Sequence, residues 1–333
     1  MSPVSFTQKA KAGIEAIEPG RKEVLHELES WVSDLMERHK EKRRLWFPSD
    51  LLPSEERISY EDTLLLEKLP ENARGLPDEA RVSLALNLLT EEGLPHFHRL
   101  VATYLGPDSI YARWNRLWTA EEDRHGTIIR DYTRAARIFN ARELDRLQYD
   151  YIEAGFNPDW KADPYRLLAY TSLQERATQW AHAKTGRLAG KYEPVLRRLL
   201  GHIAGDESRH HAFYRDVFKG ILQLDVNRAL NSLLKVMPAL QMPGHTIPEY
   251  EAMSRVVYRS GIYGPWKYME IVEELLDYWK IGAMTGLNGA GQKAQDALMA
   301  LPRRLKRFAE RADQKYTPRT YRFPFLYNRP LAC

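Results

Sequence analysis

The sequence predicts an all-α protein whose centre is a four-helix bundle holding two metal ions. Three observations predict it. Glu122-Asp123-Arg124-His125 and Glu207-Ser208-Arg209-His210 repeat one pattern, E-x-R-H. A lone glutamate in a helical stretch precedes each motif, Glu91 in TEEGLP by 31 residues and Glu175 in LQERAT by 32. Strand signals are nearly absent, and proline and glycine punctuate long helical stretches instead. Two helices offering one Glu each, and two offering Glu-x-x-His, make up the ligand set of a carboxylate-bridged di-iron site. That set points to oxygen chemistry.

Helices are expected at 21–40, 78–104, 108–136, 141–154, 164–186, 190–219, 225–237, 249–260, 265–279 and 290–313. Asp78 opens the second of these, Asp108 after Pro107 the third, and Asp163 with Pro164 the fifth. The segment 41–77, with LWFPSDLLPSEE and Pro70, reads as extended chain crossing the bundle end. The aromatic, proline-rich stretch 316–333 reads as an ordered arm on the surface. Its Phe323, Phe325, Leu326 and Tyr327 would otherwise meet water. Because the motif segments between 91 and 210 must converge, one domain over 1–333 is expected, with 1–40 as a helical extension.

Periodicity places the ligands inward. Trp114, Leu117, Trp118, Ile128, Ile129 and Tyr132 recur at helical spacing, and Glu122 and His125 fall within that stripe. Leu196, Leu199, Ile203, Tyr214 and Val217 form a second stripe, interrupted by Glu207 and His210. Leu84 and Leu88 lead to Glu91, and Leu168, Thr171 and Ser172 precede Glu175. An ionised carboxylate on a core face is costly unless it is paired or bound to metal. Four glutamates and two histidines need a common explanation, and two metal ions supply it. The i,i+3 spacing puts each Glu and His on one helical face. Hard carboxylates with imidazole suit iron or manganese rather than a structural zinc. Asp206 and Asp123 are the candidates to hold the histidines from behind.

Composition sets outer limits. Hydrophobic residues make up 44% and charged residues 28%, ordinary for a globular chain. No apolar run approaches the ~18 residues of a membrane span, and no leader pattern precedes the polar start, so the cytoplasm is the expected location. The single cysteine, Cys333, excludes an intrachain disulfide and a thiolate-held cluster. Electrons for redox chemistry must therefore come from another protein. Net charge is only +4, but Arg303, Arg304, Lys306 and Arg307 form a local basic surface suited to an acidic partner. No nucleic-acid-binding motif accompanies that charge.

WTAEEDRHG at 118–126, TSLQERAT at 171–178 and AGDESRHHAFY at 204–214 resemble the soluble acyl-acyl-carrier-protein desaturases, as do TEEGLP, WFPSDLLP at 46–53 and TGLNGAGQKAQD at 285–296. The resemblance runs from about residue 40 to the C-terminus. It implies a homodimeric, ferritin-like helical bundle with two iron ions per chain. The implied iron ligands are Glu91, Glu122, His125, Glu175, Glu207 and His210, with Glu122 and Glu207 bridging. Thr178 matches the family's threonine beside the oxygen-binding face, and Trp46, His125 and Asp206 match a hydrogen-bonded chain that carries electrons to the metal.

The implied activity is insertion of a cis double bond into a saturated acyl chain on acyl carrier protein, with oxygen and reduced ferredoxin. The alternatives are another di-iron oxidase (an amine oxygenase, or a ribonucleotide reductase small subunit, which would show an aspartate-led ligand set and a radical tyrosine) and a non-enzymatic iron-storage protein. The acyl slot would lie between the first and third ligand helices, closed by Tyr104, Leu167 and Leu168 with Trp160 nearby, large residues that favour chains shorter than stearoyl. The acidic carrier would dock on Lys267, Arg303, Arg304, Lys306 and Arg307. His182 is read as a satisfied core residue, and nothing in the sequence places His39 or His202 at the chemistry.

Overall fold

The structure, a computed structural model, describes residues 17–52, 59–240, 242–315 and 317–333. Among these, the helices are α1 (Pro19–Glu27), α2 (Glu29–Lys42), α3 (Pro48–Leu51), α4 (Tyr60–Arg74), α5 (Asp78–Glu91), α6 (Leu94–Leu105), α7 (Ile110–Ala135), α8 (Ala141–Ala154), α9 (Pro164–Ala189), α10 (Pro194–Leu224), α11 (Val226–Val236), α12 (Tyr250–Arg259), α13 (Pro265–Tyr278), α14 (Gly289–Met299) and α15 (Leu301–Gln314). Thr320–Tyr321 pairs antiparallel with Leu331–Ala332. Residues 1–16 of the expected N-terminal extension, and residue 316 of the arm, lie outside the described residues.

The long helices start where local chemistry dictates. Asp163 caps α9 by accepting from the Tyr165 and Arg166 amides, and Glu193 caps α10 through the Val195 amide, each with proline at the first helical position. Ser109, rather than Asp108, caps α7 through the Ala112 amide. Helices α5, α7, α9 and α10 form the bundle, with α9 and α10 paired most extensively. Two apolar clusters fill it. One gathers around Trp114, Trp118 and Phe218, the other around Leu84, Leu88, Ile129 and Leu199.

Four expectations about elements change. The stretch 41–77 is not extended throughout. Ser59 and Asp62 form a reciprocal capping box, and α4 follows it, accommodating Pro70 in its interior. The stretch 78–104 is two helices, because Pro95 has no amide hydrogen to extend the first and Gly93 packs against Tyr151. A Cβ on Gly93 would lie 2.5 Å from the Tyr151 hydroxyl. The stretch 290–313 likewise breaks at Ala300, ahead of Pro302. The stretch 21–40 divides at Leu28. In the C-terminal arm, Phe323, Phe325 and Leu326 are buried while Tyr327 is exposed, and the Asn140 amide donates to the Phe325 carbonyl at 2.9 Å.

Candidate metal centre

Glu91 is the last residue of α5, Glu122 and His125 sit mid-way along α7, Glu175 on α9, and Glu207 and His210 on α10. All six are buried, and His125, Glu175 and His210 have no exposure at all. Ligand atoms of Glu91, Glu122, His125 and Glu207 lie within 4.8 Å of one another, and so do those of Glu122, Glu175, Glu207 and His210. The two groups share Glu122 and Glu207. Each group could hold a cation, with that pair of carboxylates common to both. Gly126 lets the end of α5 approach α7, since a Cβ there would lie 3.3 Å from Glu92 Cγ.

The atoms facing the centre lack partners of their own. Nδ1 of His125, Nδ1 of His210, Oε1 of Glu122 and both Glu175 oxygens are buried without a hydrogen bond among the described residues. Yet His210 Nδ1 is 2.8 Å from Glu122 Oε1, and His125 Nδ1 is 3.2 Å from Glu122 Oε2 and 3.5 Å from Glu207 Oε1. Burial, with Glu207 beside it, raises the Glu122 carboxyl, and burial with Glu207, Glu122 and Glu91 raises Glu175 strongly. Burial works against charge on His210 too, but Glu121 and Glu122 outweigh it and push the ring up to about 9. A cluster that must borrow protons to offset its own charge is one that cations would satisfy. The residues fit a pair of divalent metals.

Behind the ligands the two motifs cross. His125 Nε2 on α7 lies 3.2 Å from Asp206 Oδ2 on α10, while His210 Nε2 on α10 lies 2.9 Å from Glu121 Oε2 on α7. Each acid immediately precedes the ligand glutamate of its own motif. Asp206 is as expected, but Asp123 is exposed and takes no part. Glu121 takes the role instead, and the signal was present as an acid before E-x-R-H in both copies. Asp206 also accepts from Trp46 Nε1 at 2.8 Å and Arg124 Nη2 at 3.2 Å, and pairs with Arg209. His39 lies 2.9 Å from Glu121. His182 Nε2 lies 2.6 Å from Glu91 Oε1, so it too backs a ligand.

An apolar cavity of about 480 Å³ runs between α5 and α9, with Ser83, Asn87, Thr90, Ala177, Thr178 and Ala181 on its bundle wall. Tyr258, Pro265 and Phe308 also line it. It shares Thr90, Thr178 and Met242 with a small chamber that touches Glu91, Glu122 and Glu207. Thr178 Oγ1 is 3.1 Å from Glu207 Oε2, placing a hydroxyl at the junction. A surface pocket of about 500 Å³, lined by Arg44, Arg197, Arg198 and Arg209, reaches down to the buried Trp46 and Asp206 that back His125.

The sequence profile described as fatty acid desaturase matches residues 20–327. The chain belongs to the fatty acid desaturase family. Among its relatives, a chloroplastic stearoyl-acyl-carrier-protein 9-desaturase of Gossypium hirsutum is 33% identical over 93% of this chain and 81% of its own. A putative acyl-acyl-carrier-protein desaturase of Mycobacterium tuberculosis, DesA1, is 33% identical over 83% of each. The solved structure of the putative acyl-ACP desaturase DesA2 from Mycobacterium tuberculosis superposes with a TM-score of 0.58 at 20% identity, covering 81% of this chain and 98% of that one. The fold is thus an all-α four-helix bundle with additional helices, and, as a fatty acid desaturase family member, the chain is an oxidoreductase.

The remaining expected residues of the desaturase fall in different places. Tyr104, Trp160, Leu167 and Leu168 line neither the cavity nor the chamber. Leu167 and Leu168 are buried in the core. The chamber is lined instead by Leu94, Phe97, Trp118 and Met242, with α6 restarting at Leu94 and carrying Phe97 to it. Phe97 stacks on Phe156 at 5.3 Å and on Tyr170 at 6.2 Å, with Trp160 against Tyr170 and Tyr104 against Trp160. Arg303, Arg304, Lys306 and Arg307 are exposed on α15, the helix that brings Phe308 to the cavity. Lys267 is engaged within the fold, 3.5 Å from the Trp180 ring centre and 2.8 Å from Glu270.

Proposed function

We propose that this desaturase inserts a cis double bond into a saturated acyl chain carried on acyl carrier protein, using molecular oxygen and electrons from a ferredoxin. The observation that supports this reading best is the junction at Thr178, where an apolar cavity meets the six-ligand cluster. Iron is the metal we favour, because the donors are four carboxylates and two imidazoles with no thiolate. When bound, the pair supplies oxygen activation for removing hydrogen from two adjacent methylenes.

The chain's own residues do the rest. Glu91, Glu122, His125, Glu175, Glu207 and His210 would hold the metals, with Glu122 and Glu207 shared between the two ligand groups. The cavity walls hold the alkyl chain and exclude water, and Thr178 offers a hydroxyl at the reacting end. Trp46, Asp206 and His125 form a continuous contact chain from the arginine-lined pocket to the centre, which supports docking of an acidic electron donor there. The exposed cations of α15 beside Phe308 support docking of the acidic carrier protein at the cavity mouth. Among the described residues, no helix is long and apolar enough to cross a membrane. A homodimer rests on the family resemblance and would be read by sedimentation.

The deciding experiment is incubation of the iron-loaded protein with palmitoyl or stearoyl carrier protein, reduced ferredoxin and oxygen. A monounsaturated product, absent without oxygen or electron donor, is expected. Iron uptake without any desaturated product would leave only a metal-binding bundle.

A further inference from the structure

The two arms behind the metal centre are built alike but end differently. Asp206 accepts from four donors, His125, Trp46, Arg124 and Arg209, so losing any one leaves it well held. Glu121 has fewer. His210 and His39 both approach its Oε2 at 2.9 Å, and the partly exposed Arg43 reaches its Oε1 at 3.2 Å. Donors thus approach both of its carboxylate oxygens. A carboxylate offers no hydrogen, so both Nε2 atoms must carry theirs. The other ring nitrogen, His210 Nδ1, faces Glu122 and Glu175, at 2.8 and 3.7 Å, where a bound metal would take the place of a proton.

His39 is placed to enforce this arrangement. It is buried on α2, stacked on His210 at 5.8 Å with 18° between the rings and edge-on to Trp114 at 5.0 Å. Its Nδ1 is buried without a partner among the described residues, so the ring's polar link in this site is the one to Glu121. The geometry points to His39 as a positioning residue for the metal held by His210. By donating to Glu121, it fixes that carboxylate, and the carboxylate fixes the tautomer and direction of the His210 ring. The position served by Glu91 and His125 is supported separately through Asp206 and does not depend on His39. The inference rests on reading the cluster as a two-metal centre.

Anaerobic titration of the full chain with Fe(II) tests it, comparing wild type with His39→Leu and His39→Gln. Outer partners of metal-bound histidines are worth about 10–100-fold in affinity. His39→Leu is expected to weaken one of two sites by that factor and leave the other unchanged, while His39→Gln, whose amide can still donate, stays near wild type. Two sites of undiminished affinity in His39→Leu, or equal weakening of both in either variant, would overturn the inference. A second measurement needs no variant. In the Zn(II)-loaded wild type, imidazole nitrogen NMR is expected to show His39 protonated on Nε2 and bare on Nδ1, and the opposite tautomer would also overturn it. Failure of the wild type to bind two metals would instead sink the two-metal reading itself.

Discussion

Asp206 on α10 lies 3.2 Å from Nε2 of His125 on α7, and so ties the second motif to the first. The reciprocal contact, Glu121 to His210, closes the exchange at 2.9 Å. Each motif supplies ligands to the centre and the brace for the other motif's histidine. A change in one is therefore felt in both.

Metal stoichiometry separates bridging from terminal ligands. Glu122 belongs to both ligand groups and Glu91 to one. Glu91→Ala is expected to retain about one tight metal per chain, while Glu122→Ala weakens both, with helicity by circular dichroism little changed. Equal metal content in the two variants would refute the bridging assignment.

Chain-length selection is expected at Phe97. It lines the chamber and is backed by Phe156 and Tyr170, with Trp160 and Tyr104 one layer further out. Palmitoyl carrier protein is expected to be preferred over stearoyl. Each methylene accepted or excluded is worth roughly 1–3 kcal/mol, about 10–200-fold in specificity. Phe97→Leu is expected to shift competition toward stearoyl, whereas Tyr104→Leu alone does so less. The check is product chain length from an equimolar mixture, and a larger shift for Tyr104→Leu would move the boundary outward.

Carrier-protein docking on α15 predicts a split in the kinetic constants. Reversing Arg303, Arg304, Lys306 and Arg307 to Glu is expected to raise KM for the acylated carrier and flatten its salt dependence, with kcat changed less. The comparison is made across a salt series with the same electron donor. Lys267→Glu is expected to act chiefly on stability, because Lys267 is engaged with Trp180 and Glu270.

Electron delivery is expected to depend on the other basic face. Arg197→Glu with Arg198→Glu should weaken ferredoxin-driven turnover most at low salt, where steering is strongest. Reduction of the iron-loaded protein by a small neutral reductant is expected to be unaffected. Stopped-flow absorbance follows both, and equal loss with the two donors would point to damage at the metals instead.

The ligand set was legible in the sequence because each half of it is local. An i,i+3 pair shares a helix face whatever the rest of the fold does, and apolar stripes at Trp118, Ile129, Leu199 and Ile203 told which face turned inward. Cap and break positions were less legible. Pro70 reads as a breaker, yet the Ser59–Asp62 box carries α4 past it. What periodicity cannot state is which neighbour an inward residue meets. His39 reaches Glu121 across 82 residues and Trp46 reaches Asp206 across 160. The chamber wall likewise includes Phe97 rather than Tyr104, on the helix that restarts at Leu94 after Gly93 packs against Tyr151. The sequence by itself determined the six acids and imidazoles that cluster in the core and the helices that carry them. The tertiary structure decided their braces, the cavity end and the two basic faces, since those depend on contacts between helices that no local spacing encodes.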